Sequence, residues 1–309
     1  MSVYVSGSLA FDRIMDFDGY YKDQILPEKI HTLSVSFLIQ SVKESFGGTA
    51  GNIAYNLSLL GVPSKLLSQA GKDFAEYHRW LESKGIDLTA VHVFESDLTA
   101  SAYIMTDKAD NQIAAFHPGA MKYRSTMPEN EEFNPETSLA IVSPGNPEDM
   151  MEYRRVFAAN GVRVIADPGQ QIPRFSKSEL EEFLRSPYLA IFNDYEYDSV
   201  LKKLEWSAEA LLNMCRAIIV TKGETGSVVM TSEGTTAIPV SPPNEVTDPT
   251  GAGDAYRAGL MKGILQGWDL VASARLGSVV ASFAVEQNGT QVHTFTQEDI
   301  EKRYDALGT

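Results

Sequence analysis

Short apolar segments alternate with segments of helical period along most of this chain, and that alternation constrains its fold more than any other feature. Lys65 to Ser68, Leu139 to Ser143, Val162 to Ala166, Leu189 to Asn193 and Ala217 to Thr221 read as strands, and Val3 to Ser8 as a strand that opens the chain. Asp73 to Lys84, Glu148 to Asn160 and Ser176 to Leu184 carry the helical period between them. Strands joined through helices pair in parallel, with helices on both faces of the sheet. After Gly226, the runs Val228-Val-Met-Thr231 and Thr236-Ala-Ile-Pro-Val240 read as an edge hairpin. Two helices follow, at roughly Gly251 to Gln266 and Asp269 to Glu286.

Two regions break this rhythm. Phe11 to Glu44 contains short alternating stretches such as His31-Thr-Leu-Ser-Val-Ser-Phe37, with Ile30 to Ile39 read as strand. Between Ser101 and Phe116, Ala102-Tyr-Ile-Met105 and Gln112-Ile-Ala-Ala-Phe116 flank the turn-like Asp107-Lys-Ala-Asp-Asn111. The two regions are expected to form one small β-sheet of exposed antiparallel strands, built from insertions at about 11–45 and 98–118. No repeat or linker separates them from the rest, so a single α/β domain spanning 1–309 with a β-lid is expected.

The chain of 309 residues carries 26 Lys and Arg against 41 Asp and Glu, a formal charge of −15. No basic footprint exists to displace counterions, which excludes nucleic acid as a partner. No apolar run approaches the ~18 residues of a membrane span, and Met1 to Gly7 lacks a basic leader region, so a cytoplasmic protein without a membrane partner is expected. The single cysteine, Cys215, sits in an apolar stretch and reads as core. The five histidines show no metal-ligand spacing, which discounts zinc.

The chemistry concentrates in Asp248-Pro-Thr-Gly-Ala-Gly-Asp-Ala-Tyr-Arg-Ala-Gly259. Gly251 and Gly253 remove side chains where backbone N–H groups must approach a ligand, and free amides at a helix start form an anion site. Asp254 then lies in the first helical turn, where a carboxylate suits a base that takes a hydroxyl proton during attack on a phosphate. Tyr256 stands where a dinucleotide fingerprint needs its third glycine, and no Gly-Lys-Ser/Thr tripeptide of a P-loop occurs. Any phosphate must therefore be held without a Walker lysine.

Asp248-Pro-Thr-Gly-Ala-Gly-Asp-Ala-Tyr256 resembles the C-terminal signature of the ribokinase-like, or PfkB-type, carbohydrate and nucleoside kinases, and Gly47-Gly-Thr-Ala-Gly-Asn-Ile-Ala54 resembles their N-terminal signature. Asn193-Asp-Tyr-Glu196 is similar to the family's N-x-x-E motif, and Thr221-Lys-Gly223 to its nucleotide-side T-x-G element. The resemblance implies a ribokinase-like α/β fold, a central mostly parallel sheet flanked by helices with a small β-sheet lid. It implies Asp254 as catalytic base and the amides of Gly251, Ala252 and Gly253 as the anion hole. By the same correspondence, Asn193 and Glu196 would organise Mg²⁺, while Asn193, Thr221, Gly223 and Gly226 would lie along ATP. Asp12 would accept hydrogen bonds from vicinal hydroxyls of the acceptor, beside Ser8, Gly47, Gly48 and Asn52. Dependence on a monovalent cation such as K⁺ is common among relatives, and Asn288-Gly-Thr290 is a candidate loop for it. A homodimer through the lid is likewise an expectation from the family alone.

A nucleoside is the expected acceptor. Sugar kinases of the family place a D-x-N-x-R-like run after the middle strand, whereas Ile165-Ala-Asp-Pro168 is followed here by Gly169-Gln170-Gln171. The amides of Gln170 and Gln171 suit the donor and acceptor pattern of a purine edge. Phe37 and Phe116 are the candidates to stack on the base. Together with Ser8, Asp12 and the runs Leu33–Phe37 and Phe116–Met121, these residues resemble bacterial adenosine kinases of the ribokinase type. Thr99-Ala-Ser-Ala102 departs from that group, with small residues where an aromatic can stand, so stacking is expected from one side or with help from Tyr103. The expected reaction is ATP plus adenosine giving ADP plus AMP, a step of purine salvage. The alternatives are a kinase for ribose or a fructose phosphate and a non-catalytic ligand sensor that kept the fold.

Overall fold

The computed structural model describes residues 2–109, 111–128 and 131–308; Asp110, in the turn expected at 107–111, lies outside them. The strands are β1 (Val3–Ser6), β2 (Ala10–Phe17), β3 (Ile39–Gly47), β4 (Lys65–Gly71), β5 (Asp87–Phe94), β6 (Ala100–Thr106), β7 (Gln112–His117), β8 (Leu139–Val142), β9 (Arg163–Ala166), β10 (Leu189–Asn193), β11 (Ala217–Thr221), β12 (Ser227–Thr231) and β13 (Gly234–Ile238). The helices are α1 (Tyr21–Gln24), α2 (Thr49–Leu59), α3 (Ala75–Ser83), α4 (Pro147–Ala159), α5 (Lys177–Phe183), α6 (Asp194–Leu204), α7 (Ala208–Met214), α8 (Ala252–Leu265), α9 (Leu270–Ala284) and α10 (Gln297–Ala306). None of them is long and apolar enough to cross a membrane.

The main sheet has nine strands in the order β13-β12-β11-β10-β9-β8-β1-β4-β5. Pairing is parallel from β5 to β11 and antiparallel through β12 and β13. Alternate side chains along each strand enter two separate cores. Val5, Ile141, Ile165, Ile191 and Ile219 pack under α2, α8 and α9, while Val142, Val164, Phe192 and Val220 pack under α4, α5 and α6. Burial on both faces is what the unbroken apolar runs encode, and each fully buried Ile or Phe contributes about 1.5–3 kcal/mol. Helices α8 and α9 approach closely because Gly259 has no side chain; a Cβ there would lie 2.7 Å from the Leu276 carbonyl oxygen.

The chain runs outward from β1 to β4 and β5, then returns to the other side of β1 and builds β8 to β11. Strand order therefore reverses between β1 and β8, and open α/β sheets bind ligands beyond the carboxyl ends of strands at such a reversal. Here that end is tied together tightly. The Ser8 amide donates to the Pro144 carbonyl at 2.9 Å, and Ser8 Oγ accepts from the Thr49 amide at 3.1 Å, so the loop after β1 caps the start of α2.

A second sheet of four strands, β3-β2-β6-β7, stands above this end. Two expectations need correction. The sheet is mixed, because β2 and β6 run parallel, joined through the whole of β4, α3 and β5. Residues Pro27–Thr32 form a 3₁₀ turn and β3 begins only at Ile39, so Ile30 to Ile39 is not a strand. Pro27 supplies a fixed φ at the start of that turn, and a short alternating run without a partner strand has no ladder to join. Pattern alone does not predict the edge strand β5 or the helices α1, α2, α6, α7 and α10.

Gly48, the residue before α2, has φ +88°, and a Cβ there would meet the Ser8 carbonyl oxygen at 2.5 Å and the Ala10 amide nitrogen at 2.7 Å. Both neighbours are backbone and cannot step aside. Gly48→Ala is expected to cost about 1–3 kcal/mol from the left-handed backbone alone; a urea midpoint equal to that of the parent chain would refute this.

Candidate active site

Helix α8 starts at the carboxyl end of the sheet, with Gly251 as its cap at φ +81°. The Ala252 amide donates to the Pro249 carbonyl at 3.2 Å, and no acceptor among the described residues takes the amides of Gly251, Gly253 and Asp254. Unsatisfied amides on the positive end of a helix attract an anion. Asp248 holds the approach to this turn: its carboxylate accepts from the Thr250 amide at 2.9 Å and the Gly289 amide at 3.1 Å. The Asn288–Thr290 loop is thereby fixed beside the cap, and Lys43 of the lid reaches the Asn288 side chain at 3.0 Å.

Asp254 faces this turn. Burial pushes its carboxyl up to about 7, against the lowering influence of Arg257 and of a hydrogen bond from Asn52, with Asp167 and Asp12 raising it further. A carboxylate of that basicity is matched to proton abstraction near neutral pH. Asn52 Nδ2 donates to Asp254 at 2.9 Å, Gln291 Nε2 donates to Asn52 Oδ1 at 3.0 Å and to the Tyr77 hydroxyl at 2.5 Å, and Tyr77 in turn donates to the Gly47 carbonyl at 2.8 Å. Trp80 completes the line by donating to Gln291 Oε1 at 3.1 Å. Every donor in the chain of amides points the same way, which fixes the Asn52 amide with its NH₂ toward the base.

Beneath Asp254 lies a buried ion pair. Arg257, one turn along α8, is forked onto Asp167 at 2.6 and 2.8 Å and donates to the Gly253 carbonyl at 2.9 Å. Asp167 follows β9 directly, so this contact fastens the first turn of α8 to the middle of the sheet. Arg257 also acts electrostatically on Asp254 and Glu196, and its own deprotonation is driven further out of range by these three carboxylates. No sequence motif assigns a role to either partner. The available signal was a lone cation inside the apolar, glycine-rich run Ala255–Met261, where a charge needs a partner.

The remaining candidates fall in three places. Asp12, on β2, sits over Gly47, whose missing side chain leaves room for the Asp12 carboxylate; burial and nearby Asp248 raise its pKa. On the strand ladder Asp12, Ala102 and Phe116 share one lid face, whereas Tyr103 is on the other, its hydroxyl accepting from Arg13 at 3.0 Å. Tyr103 therefore does not stack beside Phe116. Phe116 is 52% exposed, and Phe37 packs edge-on against Phe17 and Tyr21 inside the lid. In the turn after β9, Gln170 is exposed and Gln171 is buried, with its Oε1 lacking a donor among the described residues.

Thr221, Gly223, Gly226, Ala252 and Gly253 line one cavity of 490 Å³ whose walls include Val246, Tyr256 and Val285. This joins the T-x-G turn to the anion site and suits a nucleotide with its phosphates toward α8. Asn193 and Glu196 cap α6 reciprocally, each side chain taking the other's backbone amide at 2.8 Å. The Glu196 carboxyl is raised by burial and then by Asp167. No group of three His, Cys, Asp or Glu that could cage a metal occurs among the described residues. One carboxylate with a free oxygen still fits a Mg²⁺ ion, which keeps its waters and is bound largely through substrate phosphates.

The pfkB family carbohydrate kinase model matches residues 8–296. The chain belongs to that family. It is 36% identical over 279 residues to the nucleoside kinase of Methanocaldococcus jannaschii, covering 89% of this chain and 91% of that one. The fold superimposes with a TM-score of 0.86 on the Burkholderia thailandensis nucleoside kinase in complex with inosine, at 34% identity over 99% of this chain and 98% of the other. The same kinase with ADP and inosine gives a TM-score of 0.83 at 34% identity, covering 99% and 96%. The family's ribokinase-like architecture, a mostly parallel sheet between helices with a small second sheet, is the one described above.

Asp254→Asn is expected to lower kcat by about 10²–10⁴-fold while nucleoside binding survives. In the parent enzyme kcat/KM should rise with pH and level off above about 7, because the base must lose its proton first. Retained turnover, or a profile flat from pH 5 to 8, would count against the base. Arg257→Met should cost about 3–5 kcal/mol of stability by leaving Asp167 buried and unpaired. Adding Asp167→Asn should recover part of that loss, and strictly additive losses in the double variant would show that the pair is not coupled.

Proposed function

We propose that this chain is an ATP-dependent nucleoside kinase that phosphorylates the 5′-hydroxyl of adenosine. The observation that carries the reading is the Asp254 carboxylate, made basic by burial and oriented by Asn52, set at the mouth of unsatisfied α8 amides and below the lid that carries Asp12. The ribose hydroxyls lie against Asp12. Asp254 takes the 5′-OH proton as that oxygen attacks the γ-phosphorus, the bond from that phosphorus to the β-phosphate oxygen breaks, and ADP leaves. The amides of Gly251, Gly253 and Asp254 receive the charge on the transferring group. Mg²⁺, when bound near Glu196, neutralises phosphate charge. The lid closing over the ribose would exclude water from the phosphoryl group.

The relatives named nucleoside kinase support the acceptor class, and the complex with inosine shows that a purine nucleoside fits the related Burkholderia enzyme. A fructose phosphate is disfavoured by the engagement of three lysines in and beside the lid. Lys43 is engaged by Asn288, Lys108 by Asp18 and Lys122 by Asp97, which leaves none of them free for a second phosphate. Adenosine rather than inosine is supported by Gln171, a buried amide whose oxygen lacks a donor among the described residues and would accept from an exocyclic amine brought to it.

A coupled ADP-release assay across adenosine, inosine, guanosine, cytidine, ribose and fructose 6-phosphate tests this. Adenosine should be used about tenfold better than inosine, and Gln171→Leu should erase that margin, as expected for one buried hydrogen bond. Inosine used equally well would overturn the choice of base. Turnover of the sugars alone would overturn the nucleoside, and no turnover at all would favour a sensor.

A further inference from the structure

The catalytic cleft lies at the carboxyl ends of the strands. At the opposite end, where β9, β10 and β11 begin, a second cleft of 510 Å³ is lined by Arg154, Arg163, Tyr188, Cys215 and Arg216, with no Asp or Glu in its wall. That composition is unusual in a chain with 41 carboxylates and 26 basic side chains. The guanidiniums of Arg163 and Arg216 stand 5.6 and 5.8 Å from the centroid of the same ring, Tyr188. The ion pairs that arginines form among the described residues involve Arg13, Arg124, Arg155, Arg257 and Arg303, and none involves Arg154, Arg163 or Arg216.

Each arginine is held in a different way. Arg154 is buried and is braced from behind, donating to the Phe183 carbonyl at 3.1 Å and the Arg185 carbonyl at 2.5 Å. Arg163 has a buried Nε without an acceptor. Arg216 is exposed at the rim. The wall also contains Ser186, one of two non-glycine residues at positive φ among the described residues, at +51° and pinned by its amide to the Met214 carbonyl at 3.1 Å. A left-handed serine costs about 1 kcal/mol or more and persists where surrounding structure imposes it. Cys215 supplies no reactive thiolate here, since burial pushes its thiol up to about 12.

We propose that this cleft is a second anion site, remote from the catalytic residues, that binds a phosphomonoester of sugar-phosphate size through Arg154, Arg163 and Arg216. Three cations without a carboxylate match a dianion, and guanidinium forks favour phosphate oxygens. The volume falls within the ~300–1,000 Å³ of small-molecule sites, which leaves room for the organic part of the ligand. Both ends of the sheet would then handle phosphate by different means, backbone amides at one and guanidiniums at the other.

Arginine modification by phenylglyoxal, read residue by residue by mass spectrometry, tests the site without using activity. Millimolar ribose 5-phosphate should protect Arg163 and Arg216 while leaving the exposed Arg79 of α3 unprotected. Arg216→Gln, at the rim, should weaken ribose 5-phosphate binding in calorimetry by about tenfold, as expected for one charge-assisted contact, with kcat unchanged. Equal labelling with and without ligand, or an unaltered affinity in the variant, overturns the proposal. Inorganic phosphate protecting as well as ribose 5-phosphate overturns the assignment to a ligand of that size.

Discussion

One buried cation organises the carboxyl end of the main sheet, where the candidate active site lies. Arg257 lies where Asp167, Asp254 and Glu196 converge, and its fork onto Asp167 ties the start of α8 to the end of β9. Without a guanidinium there, three carboxylates would have to share a poorly solvated volume, and some would take up protons. With it, Asp254 can ionise near neutral pH while staying desolvated enough to serve as the proposed base. The same side chain holds the Gly253 carbonyl, so the geometry of the amide turn and the charge state of Asp254 rest on one residue.

The sheet determines what can meet at that point. Ser8, Asp167, Asn193 and Thr221 follow or end β1, β9, β10 and β11 of one parallel array, so a common register carries them to one edge although they are far apart in the chain. The lid is added above this edge by β2, which leaves β1 within three residues, and by β6, which follows the excursion through β5. Gly47 and Gly48 allow the lid and α2 to meet closely enough for Asp12 to stand over the cleft. The amides that run from Gln291 through Asn52 then connect the far side of α2 to Asp254.

A net charge of −15 is poorly suited to a polyanionic substrate, and the structure meets that difficulty locally. Helix-start amides on α8 supply positive potential without adding a side chain, Arg257 balances Asp167, Asp254 and Glu196, and burial pushes the carboxyls of Asp254, Glu196 and Asp12 upward. Coulomb interactions between exposed charges are screened within about 10 Å, so the overall acidity of the surface matters little at this depth. In the guanidinium-lined cleft at the opposite end, positive charge comes from side chains instead.

Most of the parallel strands, the helices α3, α4, α5, α8 and α9 and the Gly251–Asp254 turn are legible in the sequence because each is encoded locally. Apolar runs specify strands buried on both faces, and glycines specify where backbone must be bare; strands 189–193 and 217–221 were read to the residue. The segment 30–39 was misread because alternation without a partner strand has no meaning, and partners are tertiary. The same limit explains Tyr103 and Phe37: sequence names an aromatic, while the ladder register turns Tyr103 to the other lid face and tertiary packing seats Phe37, outside any strand, against Phe17 and Tyr21. Arg257 was visible as a charge in an apolar helix, yet its partner lies 90 residues away and only folding brings them together. The sequence by itself determined the elements and the chemical groups available. The tertiary structure alone decided which groups meet and how basic Asp254 becomes, because burial and the distance between charges belong to the packed chain and not to any segment of it.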